Sequence, residues 1–504
     1  MKRSPEDEQL FNSLIDQINQ LQETIAQLNE QIKNLNRRSF GTSSEKTRAG
    51  QTSIFDDDSF IKAETTAEKT DEIIVKTHTR KKHNHQTKFI GEVEKKKVVT
   101  DLNDSEKQCF NCQHKLKKVG TRLDHIETEL IPAKLEIVEY YTTTYKCDNC
   151  EDEDDHVRFT SSQAPKPAIQ SQFTSASSIA WLLHQKFELS IPLYRQEKEW
   201  RSYELDVDRK TLANWQIKAT QMYLSPIYEC MKSELLTQSY LHADETPYQI
   251  LRRSDGRAAT SESRMWVFTS REGAEHPIII FHSALTRKQE VVEKFLQGYT
   301  GTLLTDGYTA YRNLPVKHAV CYAHLRRKFR DANATPGLAA IGVDYCNQLF
   351  ILEHEFKNLT ADERSKERQE KSAPILKKFW DWVETLSAMK GNLKTVIDYA
   401  RNLKDELSLF LQDGNIALSN NIAERAIRLI TVGRKNWNFS TSEAGATSNA
   451  VIYSLVQTAK ENGLNVYKYL QKILRELPSL RFVQHSELLE AYLPWSKTIQ
   501  ATCR

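Results

Sequence analysis

Three acids stand where a carboxylate can do more than solvate a surface. Asp244 lies inside a strand-like run, Tyr240-Leu241-His242-Ala243-Asp244-Glu245-Thr246-Pro247-Tyr248. Asp306 abruptly ends the apolar run Gly301-Thr302-Leu303-Leu304-Thr305. Glu424 lies in Leu418-Ser419-Asn420-Asn421-Ile422-Ala423-Glu424-Arg425-Ala426-Ile427-Arg428, where Ser419 or Asn420 is placed to cap a helix and Glu424 projects from its first turns. Carboxylates brought side by side repel, and divalent cations relieve the repulsion. Oxygen donors of this kind suit Mg²⁺ or Mn²⁺. A pair of such ions activates a hydroxyl nucleophile and steadies a leaving 3′ oxygen during in-line phosphoryl displacement. The plain alternative for Glu424 is a solvated helix acid paired with Arg428 at i+4, worth about half a kcal/mol.

Cations and an aromatic surround the third acid. Arg425 and Arg428 share roughly one helix face, and Gly433-Arg434-Lys435-Asn436-Trp437 follows. Cations meet phosphate and an aromatic ring stacks on an unpaired base, so this cluster fits a groove for a DNA end. Arg326 and Arg327, in the basic run Leu325-Arg326-Arg327-Lys328-Phe329, join the candidate contacts. Separately, Cys109-Phe110-Asn111-Cys112 and Cys147-Asp148-Asn149-Cys150 form two close pairs, 34 residues apart, with a β-rich stretch from Lys134 to Tyr145 between them. Two such knuckles on a hairpin make a zinc ribbon, and four thiolates close a tetrahedral structural site with no position left for catalysis. The acidic run Glu151 to Asp155 reads as a solvated loop.

Positioning the acids takes a sheet. Strands are expected at 240–248, 265–269 and 277–282, a helix at 287–296, then strands at 301–306 and 319–324, the latter running into the basic helix. Three adjacent strands, then a helix, then strand and helix in alternation is the element order of a ribonuclease-H-like sheet. There an acid inside the first strand and one ending the fourth come together. The 117 residues between Asp306 and Glu424 exceed what closing the sheet needs. A helical insertion at about 335–412 accounts for them. The catalytic domain is set at 237–463 and a helical tail at 464–504.

Ahead of the sheet, residues 165–236 read as helical. Val207-Asp208-Arg209-Lys210-Thr211-Leu212-Ala213-Asn214-Trp215 offers basic and amide side chains, as in a helix-turn-helix-like DNA reader or on the polar face of a plain helical subdomain. Residues 101–160 form the zinc-ribbon domain. At the start, Leu14, Leu21, Leu28 and Leu35 alternate with Ile18, Ile25 and Ile32 at heptad spacing, the seam of a parallel two-stranded coiled coil over residues 1–45. Largely uncharged flanking positions (Gln17, Gln22, Thr24, Asn29, Gln31) suit a homodimer; the alternative is one amphipathic helix packed on its own domain. Residues 46–100 are a polar linker. Between Lys76 and Lys97 it carries eight Lys/Arg against two Glu, either a basic arm for phosphates or a solvated charged segment.

Composition bounds the class. The chain has 504 residues, 39% hydrophobic and 27% charged, so several domains are expected and membrane, secreted and collagen-like classes are excluded. The start shows no apolar signal region, which makes the cytoplasm, beside the nucleoid, the expected compartment. With 70 Lys+Arg against 67 Asp+Glu, net charge is only +3, so DNA affinity has to come from local patches. Eight cysteines in this length are no disulfide framework.

The ordered set of motifs resembles the transposases of the bacterial insertion-sequence-66 family, a branch of the Asp-Asp-Glu transposases. The likeness runs nearly end to end. It takes in the zipper with Arg37-Arg38-Ser39-Phe40-Gly41, the two cysteine pairs, Ile191-Pro192-Leu193-Tyr194-Arg195-Gln196, Leu241-His242-Ala243-Asp244-Glu245-Thr246-Pro247, Thr305-Asp306-Gly307-Tyr308, Cys321-Tyr322-Ala323-His324-Leu325-Arg326-Arg327 and Asn420-Asn421-Ile422-Ala423-Glu424-Arg425. The resemblance implies an acidic triad of Asp244, Asp306 and Glu424 holding two Mg²⁺ or Mn²⁺ ions. It also implies DNA ends and target DNA as partners, and small accessory proteins of the same element. Cys321 and His324 match a Cys-x-x-His pattern of such enzymes, with His324 expected near the scissile region and a zinc-ligand role disfavoured, since no second pair lies near in sequence. The expected whole is a multidomain α/β protein: a ribonuclease-H-like catalytic core with helical insertion, preceded by coiled coil, zinc ribbon and helical DNA-binding region. The rival readings are a DNA-end-binding protein without catalysis, a nuclease that never joins strands, and a zinc-ribbon scaffold.

Overall fold

The computed structural model describes residues 133–151, 157–259, 263–332, 337–386 and 391–504. The coiled coil, the linker and the first cysteine pair fall outside the described residues.

The first described element is a hairpin of β1 (Thr144–Glu151) and β2 (Val157–Ser161), antiparallel, with a register shift between Lys146 and Glu151. Cys147 and Cys150 lie in β1. The β-rich stretch expected from Lys134 to Tyr145 is therefore displaced: residues 133–143 form no strand. Leu135 packs against the main core, but Ile137 is 92% and Val138 63% exposed, and an extended segment without a partner strand gains nothing from its β propensity.

Four helices follow: α1 (Ala176–Phe187), α2 (Leu193–Ser202), α3 (Arg209–Ala219) and α4 (Ser225–Thr237), the last two joined by a π-helical turn, Thr220–Leu224. Asp208 caps α3 by accepting from the Thr211 N–H at 2.8 Å. Lys210, Asn214 and Lys218, four residues apart, line its exposed face. The helices share one apolar core with the sheet and the C-terminal helices, through Leu182, Trp215 and Ile227.

The central sheet is built from β3 (Tyr240–Pro247), β5 (Arg264–Ser270), β6 (Ile279–Ala284), β7 (Thr302–Thr305) and β8 (Lys317–Val320). Its strand order is β6-β5-β3-β7-β8. The pairings β3–β5 and β5–β6 are antiparallel; β3–β7 and β7–β8 are parallel. Every residue of β5 is buried, as a strand covered on both faces requires. A short helix, α5 (Gln289–Phe295), crosses from β6 to β7. The last strand stops at Val320, earlier than its apolar run suggests, because Cys321 already begins α6 (Tyr322–Asp331). β4 (Gln249–Arg252) leaves the main sheet and pairs in parallel with β9 (Phe439–Ser442).

Helices then dominate the described residues up to 411: α7 (Leu338–Glu355), α8 (Ala361–Glu367), α9 (Ala373–Thr385), α10 (Asn392–Asn402) and α11 (Lys404–Ser408). With α6, β7 and β8 they bury a second apolar cluster that includes Phe329, Leu349, Phe379, Val383 and Leu407. Then come α12 (Asn421–Trp437), α13 (Glu443–Glu461), α14 (Val466–Glu476) and α15 (Lys497–Thr502). α13 covers the outer edge of the sheet. Ser454 Oγ accepts from the Phe281 N–H at 2.8 Å and Thr458 Oγ1 from the Ile279 N–H at 3.0 Å, which occupies donors an open edge would offer to another chain. No helix among the described residues is long and apolar enough to cross a membrane.

Candidate active site

Register brings the first two acids together. In the parallel β3–β7 ladder Tyr240 pairs with Thr302, Leu241 with Leu303 and His242 with Leu304. Carried two residues further, the same offset puts Asp306 opposite Asp244, close enough for its charge to act on the Asp244 carboxyl. Asp306 is the first residue beyond β7, where the chain turns. Its carboxylate accepts from the Tyr308 N–H at 2.9 Å, and Gly307 takes φ +80° to make the bend. α10 braces the turn: Tyr399 Oη donates to the Asp306 carbonyl at 2.7 Å, and a Cβ on Gly307 would lie 2.7 Å from that hydroxyl.

Glu424 arrives on α12, whose start is stapled to the sheet. Asn420 is the N-cap residue, but its side chain makes no capping hydrogen bond. Instead Asn420 Nδ2 donates to the Ala243 carbonyl at 2.9 Å, and its Oδ1 lies 3.0 Å from His242 Nδ1. Its backbone N–H donates to Cys321 Sγ at 3.1 Å, and the Tyr322 N–H donates to the Leu418 carbonyl at 3.0 Å. One buried amide thus joins β3, the start of α6 and the start of α12. Removing it strands buried polar partners. Asn420→Ala is expected to destabilise the protein by about 1–3 kcal/mol, read as a lower unfolding midpoint; an unchanged midpoint would mean that the staple carries no weight.

The electrostatics follow from this crowding. The Asp244 carboxyl is held well above the usual carboxylate range, first by burial, then by the charges of Glu245, Asp306 and Glu424, against one backbone hydrogen bond from its neighbour. Glu245 has its own partners: Arg287 Nε donates to it at 2.7 Å and Tyr311 Oη at 2.7 Å. Glu424 has Arg327 Nη2 at 3.4 Å and His324 Nδ1 at 3.5 Å. Among the described residues, Asp244 and Asp306 have no ion-pair partner. Two unpaired acids side by side, with a buried third nearby, fit hard divalent cations bound through oxygen.

The basic candidates divide by their surroundings. Arg425, Arg428 and Lys435 are exposed and, with Val432, form one stripe along α12. Arg434 is half-buried and donates to the Pro247 carbonyl. Asn436 is half-buried. Trp437 packs against the core, with Lys186 Nζ 5.6 Å from its ring centroid, so only part of the ring faces outward. Arg326 reaches Asn347 on α7 at 2.6 Å, and Arg327, half-buried, reaches Glu424 at 3.4 Å. Cys321 is fully buried. The Arg287–Glu245–Tyr311 group and the Asn420 staple carry no signature in local sequence, since their partners lie 42, 66 and 178 residues away.

A mixed five-stranded sheet with a helical layer, gathering three acids at one end of its central strands, defines a multidomain α/β protein with an acidic polar centre. The chain belongs to the IS66 transposase family. The model described as "Transposase IS66 family" matches residues 171–448, more than half of the chain. The "IS66 C-terminal element" matches 454–495 and the "zinc-finger binding domain of transposase IS66" matches 106–151. A model described as "Transposase C of IS166 homeodomain" matches 27–91. Similar proteins occur in Sinorhizobium fredii (strain NBRC 101917 / NGR234). The uncharacterized protein y4hP is 28% identical, over 84% of this chain and 78% of its own length. The uncharacterized protein y4jD is 27% identical, over 78% and 79%. The uncharacterized protein y4qI is 31% identical, over 66% and 64%.

Proposed function

We propose that this chain is a DNA transposase that binds the ends of its element, cuts a phosphodiester to free a 3′-OH, and joins that hydroxyl to target DNA. The observation that carries the reading is the unpaired couple Asp244 and Asp306, set side by side by strand register, with Glu424 stapled to the same end of the sheet. Strand order β6-β5-β3-β7-β8, with three antiparallel strands and two parallel additions, supports a ribonuclease-H-like core. Asp244, Asp306 and Glu424 would hold Mg²⁺ or Mn²⁺ through their carboxylate oxygens. Bound there, the ions supply Lewis acidity at the scissile phosphate and lower the pKa of the attacking water or 3′-OH.

The chain's own residues do the rest. Arg287 and Tyr311 hold the Glu245 carboxylate, leaving Asp244 to face Asp306. Arg327 and His324 orient Glu424. The exposed stripe of Arg425, Arg428 and Lys435 tracks phosphates beside the acids, joined by Arg434, Asn436, Trp437 and Arg326 at its margins. The α3 face of Lys210, Asn214 and Lys218 contributes to end binding. Cys109, Cys112, Cys147 and Cys150 hold a structural Zn²⁺. The N-terminal heptads pair two copies, and the protein works in the cytoplasm on nucleoid DNA. The test is a duplex carrying the inverted repeats that flank the reading frame, incubated with the full-length chain and Mg²⁺. Nicked and joined products support the reading. Binding without a nick would leave a non-catalytic end binder, and nicks without joined product a nuclease.

The acid pair also predicts a pH signature. Asp244 has a higher pKa folded than unfolded, so the stability it contributes is full below about pH 4 and is lost as pH rises through its folded value. Metal-free Asp244→Asn should therefore melt higher than wild type by a margin that grows as pH rises above about 4 toward the folded value. Millimolar Mg²⁺ should raise the wild-type midpoint and leave the variant's nearly unchanged. A margin independent of pH, or equal Mg²⁺ shifts, would contradict the proposed cation site.

A further inference from the structure

We propose that Cys321, His324 and Glu424 form a second metal site, for a zinc-class ion, sharing only Glu424 with the hard-cation pair. One ligand atom from each of the three residues lies within 4.8 Å of the others. Cys321 is the N-cap residue of α6 and His324 follows one turn later on the same helix, while Glu424 comes from α12. The two helix starts are already joined by the hydrogen bond from the Asn420 N–H to Cys321 Sγ. The ligands are thus held before any ion arrives.

A second observation points into this space. Glu424 is 8% exposed, and its Oε1 is buried with no hydrogen-bond partner. His324 Nδ1 is likewise buried and unpartnered, 3.5 Å from that oxygen, too far for a good hydrogen bond. Two orphaned polar atoms facing each other beside a buried sulfur are costly unless something bridges them. Both can donate a lone pair to the same ion.

Donor chemistry selects the ion. Mg²⁺ takes oxygen and refuses thiolate, whereas sulfur, imidazole nitrogen and carboxylate oxygen together suit Zn²⁺. Three protein ligands leave the fourth tetrahedral position for water. Burial pushes the Cys321 thiol up to about 12, while the N–H groups of Asn420, His324 and Ala323 work in the other direction. On binding, the sulfur–proton bond gives way to a sulfur–metal bond, the proton leaves to solvent, and those N–H groups stabilise the bound thiolate. An ion here would fix Glu424 Oε1 against α6 and leave Oε2 for Arg327 and the catalytic side.

The test is the zinc content of the full-length chain after dialysis against a weak chelator. Cys321→Ser and His324→Asn should each hold one zinc fewer per chain than wild type, whatever the cysteine pairs hold. Cobalt-loaded Cys321→Ser should lose part of the thiolate-to-metal charge-transfer absorption. Asp306→Asn should keep the wild-type zinc count, which separates this site from the hard-cation pair and from any failure of strand cleavage. His324 lies on a helix face with an 18% exposed side chain, so its variant reports even if Cys321→Ser fails to fold. Equal zinc counts in wild type and folded His324→Asn would overturn the proposal.

Discussion

Asp306→Asn is expected to reduce strand cleavage by about 10³-fold or more while leaving binding to element ends within a few-fold of wild type. The substitution is nearly isosteric. Asn keeps an oxygen that accepts from the Tyr308 N–H, and the Gly307 bend and the Tyr399 bond to the residue-306 carbonyl do not depend on the charge. Only the negative charge and one strong cation ligand are lost. A missing donor at a pre-organised site costs several kcal/mol in the transition state, because nothing relaxes to replace it. In the proposed function, end binding would draw on cations elsewhere, along α12 and on α3. A gel shift and a cleavage assay on the same duplex should therefore diverge. Parallel loss in both would assign Asp306 to folding or DNA grip and would remove the basis for a cation-dependent centre. Glu424→Gln should behave alike, with the difference that it also frees Arg327 and His324.

The parts of this arrangement legible in the sequence are those fixed by local period. An apolar run that ends in an acid marks the end of a strand, and the structure ends β7 at Thr305, one residue before Asp306. β3, β5 and β6 fall within two residues of the stretches their β-branched and aromatic residues indicate. Parts set by a distant partner were not legible. Asn420 has the composition of a cap, yet its amide turns to Ala243 and His242, because a buried strand carbonyl needs a donor and this side chain is the one that reaches it. Arg327 reads as a phosphate contact and instead faces Glu424. The hairpin at 144–161 lies later than the period of 134–145 suggests, since that period says nothing about whether a partner strand exists. Cys321 and His324 have no second ligand pair nearby in sequence; the third ligand atom of the proposed site comes from Glu424, 103 residues beyond the cysteine.

Arg368→Ala is expected to cost about 3–5 kcal/mol, the largest loss of stability from a single substitution outside the acidic centre. Arg368 begins a π-helical turn, Arg368–Ser372, and is fully buried. Its Nε and Nη2 grip the two oxygens of Glu353, each at 2.7 Å. Its Nη1 donates to the carbonyls of Phe410 and Asp413 at 2.8 and 2.9 Å, and Nη2 to that of Ile416 at 3.0 Å. Truncation leaves one carboxylate and the Phe410 and Ile416 carbonyls without these donors, and the Asp413 carbonyl with only the Ile416 N–H at 3.2 Å. Lys is no remedy, because a single ammonium cannot span a carboxylate and three carbonyls in the plane of the guanidinium fork. Pairing Arg368→Met with Glu353→Leu should recover part of the loss by removing the stranded charge, but not the part owed to the carbonyls. Urea denaturation of the three variants measures these differences. A loss below about 1 kcal/mol for Arg368→Ala would show that water reaches the bracket and replaces the fork. The consequence extends to the acids. The three carbonyls belong to residues 410–416, directly ahead of Asn420, and Tyr240 of β3 bonds to Asp413 in the same segment. Arg368 therefore fixes the approach of the chain to the third acid, and folded Arg368→Lys should cleave DNA more weakly than its folded fraction accounts for.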